Sequence, residues 1–285
     1  MQQKEIAGQS FNLGGRFERV KGSRTAQNPG FAARLALWPL AGRRRSSMKV
    51  LALETSGSTG SIALWTGQQT TEPRQWPLPA TMRSARSLAP TLQGCLAEFG
   101  WKPREIELVA VTTGPGSFTS IRIGVVMAKA FAYAVGCPAV GVHTLEAIAR
   151  QAIPCGRQRI TALMDAQRDE LFVATFGQDL AHPTRCFPVQ PTTVVAADVW
   201  LSGLQPGEWV TGPGIERLIT RLPRYALVVE ANFWQPQAAT VARAGFEALQ
   251  ISGDSSKFGP FALLPQYFRR TAAEEQWDKR HTIAT

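Results

Sequence analysis

Histidine is scarce in this chain: among 285 residues there are only His143, His182 and His281. No two of them share an i, i+4 spacing, and neither HxxxH nor HExxH occurs, so a histidine-held metal is not expected. The four cysteines, Cys95, Cys137, Cys155 and Cys186, form no CxxC pair and lie far apart. That pattern suits reduced thiols in a cytosol-like compartment and excludes a dense disulfide framework. No apolar run reaches the length that spans a bilayer, so no membrane partner is expected. Neither a Ser-His-Asp nor a Cys-His ordering emerges, and no internal repeat is visible.

What is abundant is positive charge, and it is unevenly placed. Residues 1–47 hold nine Lys or Arg against two acids, a net +7 that leaves +3 for the other 238 residues. This stretch is rich in Gly, Ser, Asn and Gln and has no sustained periodicity. It reads first as an extension upstream of the true start, with Met48 as the natural beginning of the domain. A basic tail touching RNA and an organellar transit peptide are the other two readings.

From Met48 the pattern becomes regular. Val50 to Glu54 reads as a buried strand, the turn Ser56 to Gly60 follows, and Ser61 to Trp65 returns as a second strand. A third strand is expected before Pro77. Leu88, Leu92, Cys95, Leu96 and Phe99 share one face of a helix expected over Arg83–Phe99, with Pro90 delaying its start or kinking it. Leu108–Thr113 reads as a strand, Ser120–Val135 as a helix, Pro138–Val142 as a strand, and Thr144 as the cap of a helix reaching Ala152. A hairpin follows, Ile160–Asp165 and Glu170–Phe176 around Ala166-Gln167-Arg168-Asp169. Beyond it the pattern weakens until a helix over Gln237–Leu249, and the last 15 or so residues read as a mobile tail. The domains expected are therefore the basic extension 1–47, an N-terminal α/β lobe 48–150 and a C-terminal lobe 151–285.

Three motifs bear on chemistry. In LETSGSTGSIAL, the residues Glu54, Thr55, Ser56 and Gly57 form a turn whose amides could face a phosphate, although an ordinary hairpin is the favoured reading. The loop Gly114, Pro115, Gly116, Ser117, Phe118 and Thr119 runs into a helix that carries Arg122. Ser117 or Thr119 can cap this helix, whose positive end can attract an anion, yet the loop is neither GxxxxGK[ST] nor GxGxxG. Behind it Gly124, Ala128 and Ala132 form a small-residue stripe that suits close packing on the protein's own sheet or on a partner helix. In ALMDAQRDELF, the acids Asp165, Asp169 and Glu170 read as solvated turn residues.

These segments resemble a family. MKVLALETSGSTGSIALW, AVTTGPGSFTSIRIGVVMAKAFAYAVGCPAVGVHTLEAIA, ALMDAQRDELFVATF and the late LPQYFRR stand in the order found in the bacterial TsaB (YeaZ) family, and GPGSFTSIRIG is the most specific of them. The resemblance implies a two-lobed actin-like ATPase fold of the sugar kinase/Hsp70, ribonuclease H-like kind. It implies a role in making threonylcarbamoyladenosine at position 37 of tRNA. The partners would be a TsaD-like catalytic subunit and a TsaE-like ATPase, with tRNA reached through their complex and a homodimer formed when the partner is absent. ATP and a metal ion are expected in those partners, no cofactor and no catalytic residue in this cytoplasmic chain. Glu54 supports that reading, because phosphotransferases of this fold usually place Asp there.

The resemblance also places a partner interface, a four-helix bundle with two helices from each protein. Its residues here would be Leu88, Leu92, Leu96, Ile121, Gly124, Val125, Ala128 and Ala132, while one face of each helix must pack inward. The alternatives are an actin-fold ATPase or kinase with turnover of its own, and a glycoprotease-like metallopeptidase.

Overall fold

The computed structural model describes residues 47–269 apart from 69, 80–84, 154, 155 and 183. The basic extension up to residue 46, Cys155, His281 and the tail beyond residue 269 therefore lie outside the described residues.

Two five-stranded sheets organise the chain. The first is built from β1 (Val50–Glu54), β2 (Ser61–Trp65), β3 (Arg74–Pro77), β4 (Leu108–Gly114) and β5 (Ala139–His143), in the order β3-β2-β1-β4-β5. β1 pairs antiparallel with β2 and parallel with β4; β2–β3 is antiparallel and β4–β5 parallel. The second sheet contains β6 (Arg159–Gln167), β7 (Glu170–Gln178), β8 (Cys186–Ala196), β9 (Trp209–Thr211) and β10 (Leu227–Val228). Read from its edge, the order is β8-β7-β6-β9-β10, with the same sequence of two antiparallel and two parallel pairings. The chain is thus a topological duplicate, the arrangement of the actin-like fold, although no repeat is visible in the sequence.

The central strands of the first sheet are buried along their whole length because both faces are covered. Leu51, Leu53, Val109 and Val111 point to one side, where α1 (Ala85–Phe99) and α2 (Phe118–Val135) pack. Val50, Ala52, Leu108 and Ala110 point to the other, against α6 (Ala238–Ser252). The helices cross between lobes: α6 returns from the C-terminal half to the first sheet, whereas Leu145 and Ile148 of α3 (Thr144–Ala152) join the core of the second. A cut at residue 150 therefore does not separate the two packed units.

Several local expectations change. Pro90 lies inside α1 and is exposed, and Leu88, Leu92, Cys95 and Leu96 hold the helix to the sheet on both sides of it. α2 begins at Phe118, two residues early. By length and composition α2 is apolar enough to cross a membrane, contrary to the sequence reading, but one face is sunk in the core. The cap of α3 is His143, whose ring accepts from the Glu146 amide, and Thr144 is the first helical residue. The segment with no periodic signal holds β8, α4 (Ala197–Gly203), β9, α5 (Ile215–Leu218) and β10.

The face nominated for a partner is turned inward, which corrects that expectation. Leu88, Leu92, Leu96, Ile121, Val125, Ala128 and Ala132 all belong to the core on the first sheet, and Gly124 is buried with them. Gly124 meets the β1–β2 loop so closely that a Cβ there would lie 2.2 Å from Thr55 Oγ1. The small residues serve the protein's own packing.

Ala128→Arg therefore buries an unpaired charge in this core, and we expect about 3–5 kcal/mol loss of unfolding free energy in urea. Val126→Arg, on the opposite face of the same helix where Val126 is 64% exposed, should change stability by less than about 0.5 kcal/mol. Equal losses would show that the orientation of α2 is wrong.

Candidate functional site

The two lobes enclose a cleft of about 760 Å³. Its walls include the β1–β2 loop at Ser56–Ser58, the β4–α2 loop and first turn of α2 from Pro115 to Ile121, the tip of the β6–β7 hairpin, and the chain end from Gln266 to Arg269.

In the first wall the Ser56 and Gly57 amides are directed at Glu54. Glu54, at the end of β1, is fully buried, and its Oε1 accepts from the Ser56 amide at 2.6 Å, the Ser56 hydroxyl at 2.5 Å and the Gly57 amide at 3.1 Å. Its Oε2 has no partner among the described residues. Burial pushes the carboxyl from its ordinary 4.5 up to about 7, and the hydrogen bonds from Ser56 and Gly57 offset only part of that rise. A loop that could have cradled a phosphate instead wraps an internal carboxylate.

The second wall leans on the first. The Ser117 amide donates to the Ser56 carbonyl at 3.1 Å. Ser117 occupies the N-cap position, but its hydroxyl bonds to Ser120 at 3.0 Å and not to a helix amide. The Gly114–Pro115 peptide is cis. Phe118 and Arg122 point along the chain end: the guanidinium sits 3.9 Å from the Phe118 ring, and its Nε donates to the Tyr267 hydroxyl at 2.8 Å. Thr119 is exposed on the cleft wall.

The hairpin acids are all engaged. Asp165 pairs with Arg217, Asp169 with Arg217 at 3.4 Å and Arg221 at 3.2 Å, and Glu170 with Arg269 at 3.2 Å. They neutralise arginines and hold the turn Gln167-Arg168-Asp169, whose φ values of 63°, 52° and 58° are left-handed. The sequence reading as solvated turn residues is thus corrected in part. The partner arginines lie 48 or more positions further on, where no local pattern could reveal them.

His143 is structural. Its Nδ1 accepts from the Glu146 amide at 3.4 Å, which leaves Nε2–H to donate to Thr192 Oγ1 at 2.9 Å. Burial lowers its pKa from 6.5 to about 4, so the neutral ring is the working form. Among the described residues, no three His, Cys, Asp or Glu converge as a metal site.

Comparison with known proteins gives these features a context. A family model described as TsaD, tRNA N6-adenosine threonylcarbamoyltransferase, matches residues 75–182. The tRNA threonylcarbamoyladenosine biosynthesis protein TsaB of Bacillus subtilis is 30% identical over 242 residues, covering 81% of this chain and 98% of that one. The protein of the same description from Escherichia coli is 33% identical over 134 residues, 46% of this chain and 56% of the relative, so that match spans little more than half its length. Among solved structures, YeaZ from Pseudomonas aeruginosa superposes with a TM-score of 0.64 at 21% identity, over 77% of this chain and 99% of that one. A second, described as an uncharacterized protein with similarity to peptidase YEAZ from Pseudomonas aeruginosa, gives 0.65 at 22% identity, over 78% and 100%. These two likenesses establish the fold.

Glu54 and His143 give stability opposite slopes in pH. Because the Glu54 value is raised, its contribution is complete below about 4.5 and is lost as pH climbs through about 7. The lowered His143 value contributes above 6.5 and is lost as pH falls through about 4. Glu54→Gln removes only the first slope. The unfolding free energy of this variant, minus that of the parent, should grow by about 3 kcal/mol from pH 4.5 to 7. Urea titrations across that range check it, and a constant difference would contradict the buried acid.

Proposed function

The chain belongs to the TsaB family, and on that footing we propose that it is the non-catalytic partner subunit in forming N6-threonylcarbamoyladenosine at position 37 of tRNA. It pairs with a TsaD-like catalytic subunit and acts in the cytoplasm with a TsaE-like ATPase, reaching tRNA through their complex. Without that partner it forms a homodimer. ATP and a metal ion are handled by the partner subunits.

The observation that carries this reading is the capture of Glu54 by its own loop. An ATPase of this fold needs backbone donors aimed at phosphate in the cleft. Here the Ser56 and Gly57 amides are spent on Glu54 Oε1, and the β1–β2 loop offers them to no ligand. The TsaD-family match over residues 75–182 supports kinship with the catalytic subunit without supplying a site of its own. A metallopeptidase reading has no ligand set among the described residues.

The docking surface we assign is the outer face of α2. Val126 and Tyr133 are exposed there, and Phe261, 64% exposed, stacks edge-on to Tyr133 at 5.7 Å, with Leu264 exposed in the same segment. This apolar strip suits a helical face of the TsaD-like partner.

Val126→Arg places a charge in the middle of that strip. Mixed with the TsaD-like protein on a sizing column, the parent should co-elute and the variant should bind at least about 100-fold more weakly. A folded variant that co-elutes like the parent would remove this face from the interface, and a parent that never co-elutes would remove the pairing itself.

A further inference from the structure

The chain from Gly259 to Arg269 follows α6 and passes between the lobes at the edge of the cleft. Leu263 is anchored in the core of the first lobe. The Gln266 amide then donates to the Thr113 carbonyl at 2.8 Å. Gly114, with φ +124°, makes room for this crossing, since a Cβ there would lie 2.4 Å from the Gln266 carbonyl oxygen. The Tyr267 ring stacks 4.5 Å from Phe118, and its hydroxyl receives Arg122.

The next two residues belong to the other lobe. Phe268 packs on the second core, 6.5 Å from the Phe172 ring. Arg269 Nη1 donates to the Ala166 carbonyl at 2.6 Å and pairs with Glu170. Within four residues the chain exchanges bonds with the β4–α2 loop for bonds with the β6–β7 hairpin, and all four line the cleft.

We propose that Gln266–Arg269 is an interlobe clasp that sets how far the cleft opens. The loop beginning Gly114-Pro115-Gly116 is its receptor: Gly114, Phe118 and Arg122 each contact the clasp directly. The hairpin is the other anchor. Polar attachments at Gln266, Tyr267 and Arg269 and ring contacts of Tyr267 and Phe268 hold the clasp, and they can release locally while the sheets stay folded.

Amide hydrogen exchange on the full chain tests it. In Tyr267→Ala/Arg269→Ala, residues 114–121 and 164–170 should both exchange about tenfold faster than in the parent, while the interior of β7 is unchanged. Arg269→Gln alone should loosen both walls, since a clasp freed at one end no longer bridges. Exchange confined to the hairpin in Arg269→Gln, or unchanged at both walls, overturns the clasp. So does a uniform rise that includes β7, which would make the segment ordinary core. If the double variant does not fold, the single variant decides by the same criteria.

Discussion

Glu54 Oε1 gathers the Ser56 amide, the Ser56 hydroxyl and the Gly57 amide, and a series of contacts around the cleft starts from that knot. The turn fixes the Ser56 carbonyl where it receives the Ser117 amide, and it seats Thr55 against Gly124. Those two contacts set the approach of α2 to the sheet. α2 in turn presents Phe118 and Arg122 to Tyr267, and two residues later Arg269 reaches the hairpin. Desolvation outweighs the hydrogen bonds at Glu54, which is why its carboxyl titrates near 7. The position costs stability at neutral pH, and the ordered loop is what the fold retains for it.

The exchange of helices makes the two lobes one interlocked body. α6 covers the first sheet although it comes late in the chain, and α3 covers the second although it comes before that sheet begins. Each lobe therefore depends on a segment from the other half of the sequence. The cleft is bounded by the loops that leave β1, β4 and β6.

The first half of the fold was legible in the sequence because its signals are local. Val50–Glu54 and Leu108–Thr113 are short apolar runs bounded by turns, and the stripes on α1 and α2 recur at helical spacing. The direction of those stripes was not legible. Leu88 and Ala128 suit either a sheet or a partner, and only their packing in the core with Leu51, Leu53, Val109 and Val111 decides between them. β8 escaped notice because its exposed stretch carries Pro188 and Pro191 and lacks alternation. The partners of Asp165 and Asp169 escaped for a different reason, since Arg217 and Arg221 are brought to the hairpin by the fold and share no motif with it. The late LPQYFRR segment carries part of the family resemblance, and its physical work, joining the GPGSFTSIR loop to the hairpin, emerges only in three dimensions.

Glu54 turning its loop inward is the centre of the account, and nucleotide turnover tests it most directly. Purified protein incubated alone with ATP and Mg²⁺ should release phosphate no faster than a blank. Turnover well above the blank that disappears in Glu54→Ala would contradict the account, because it would make the buried carboxylate part of a working phosphate site.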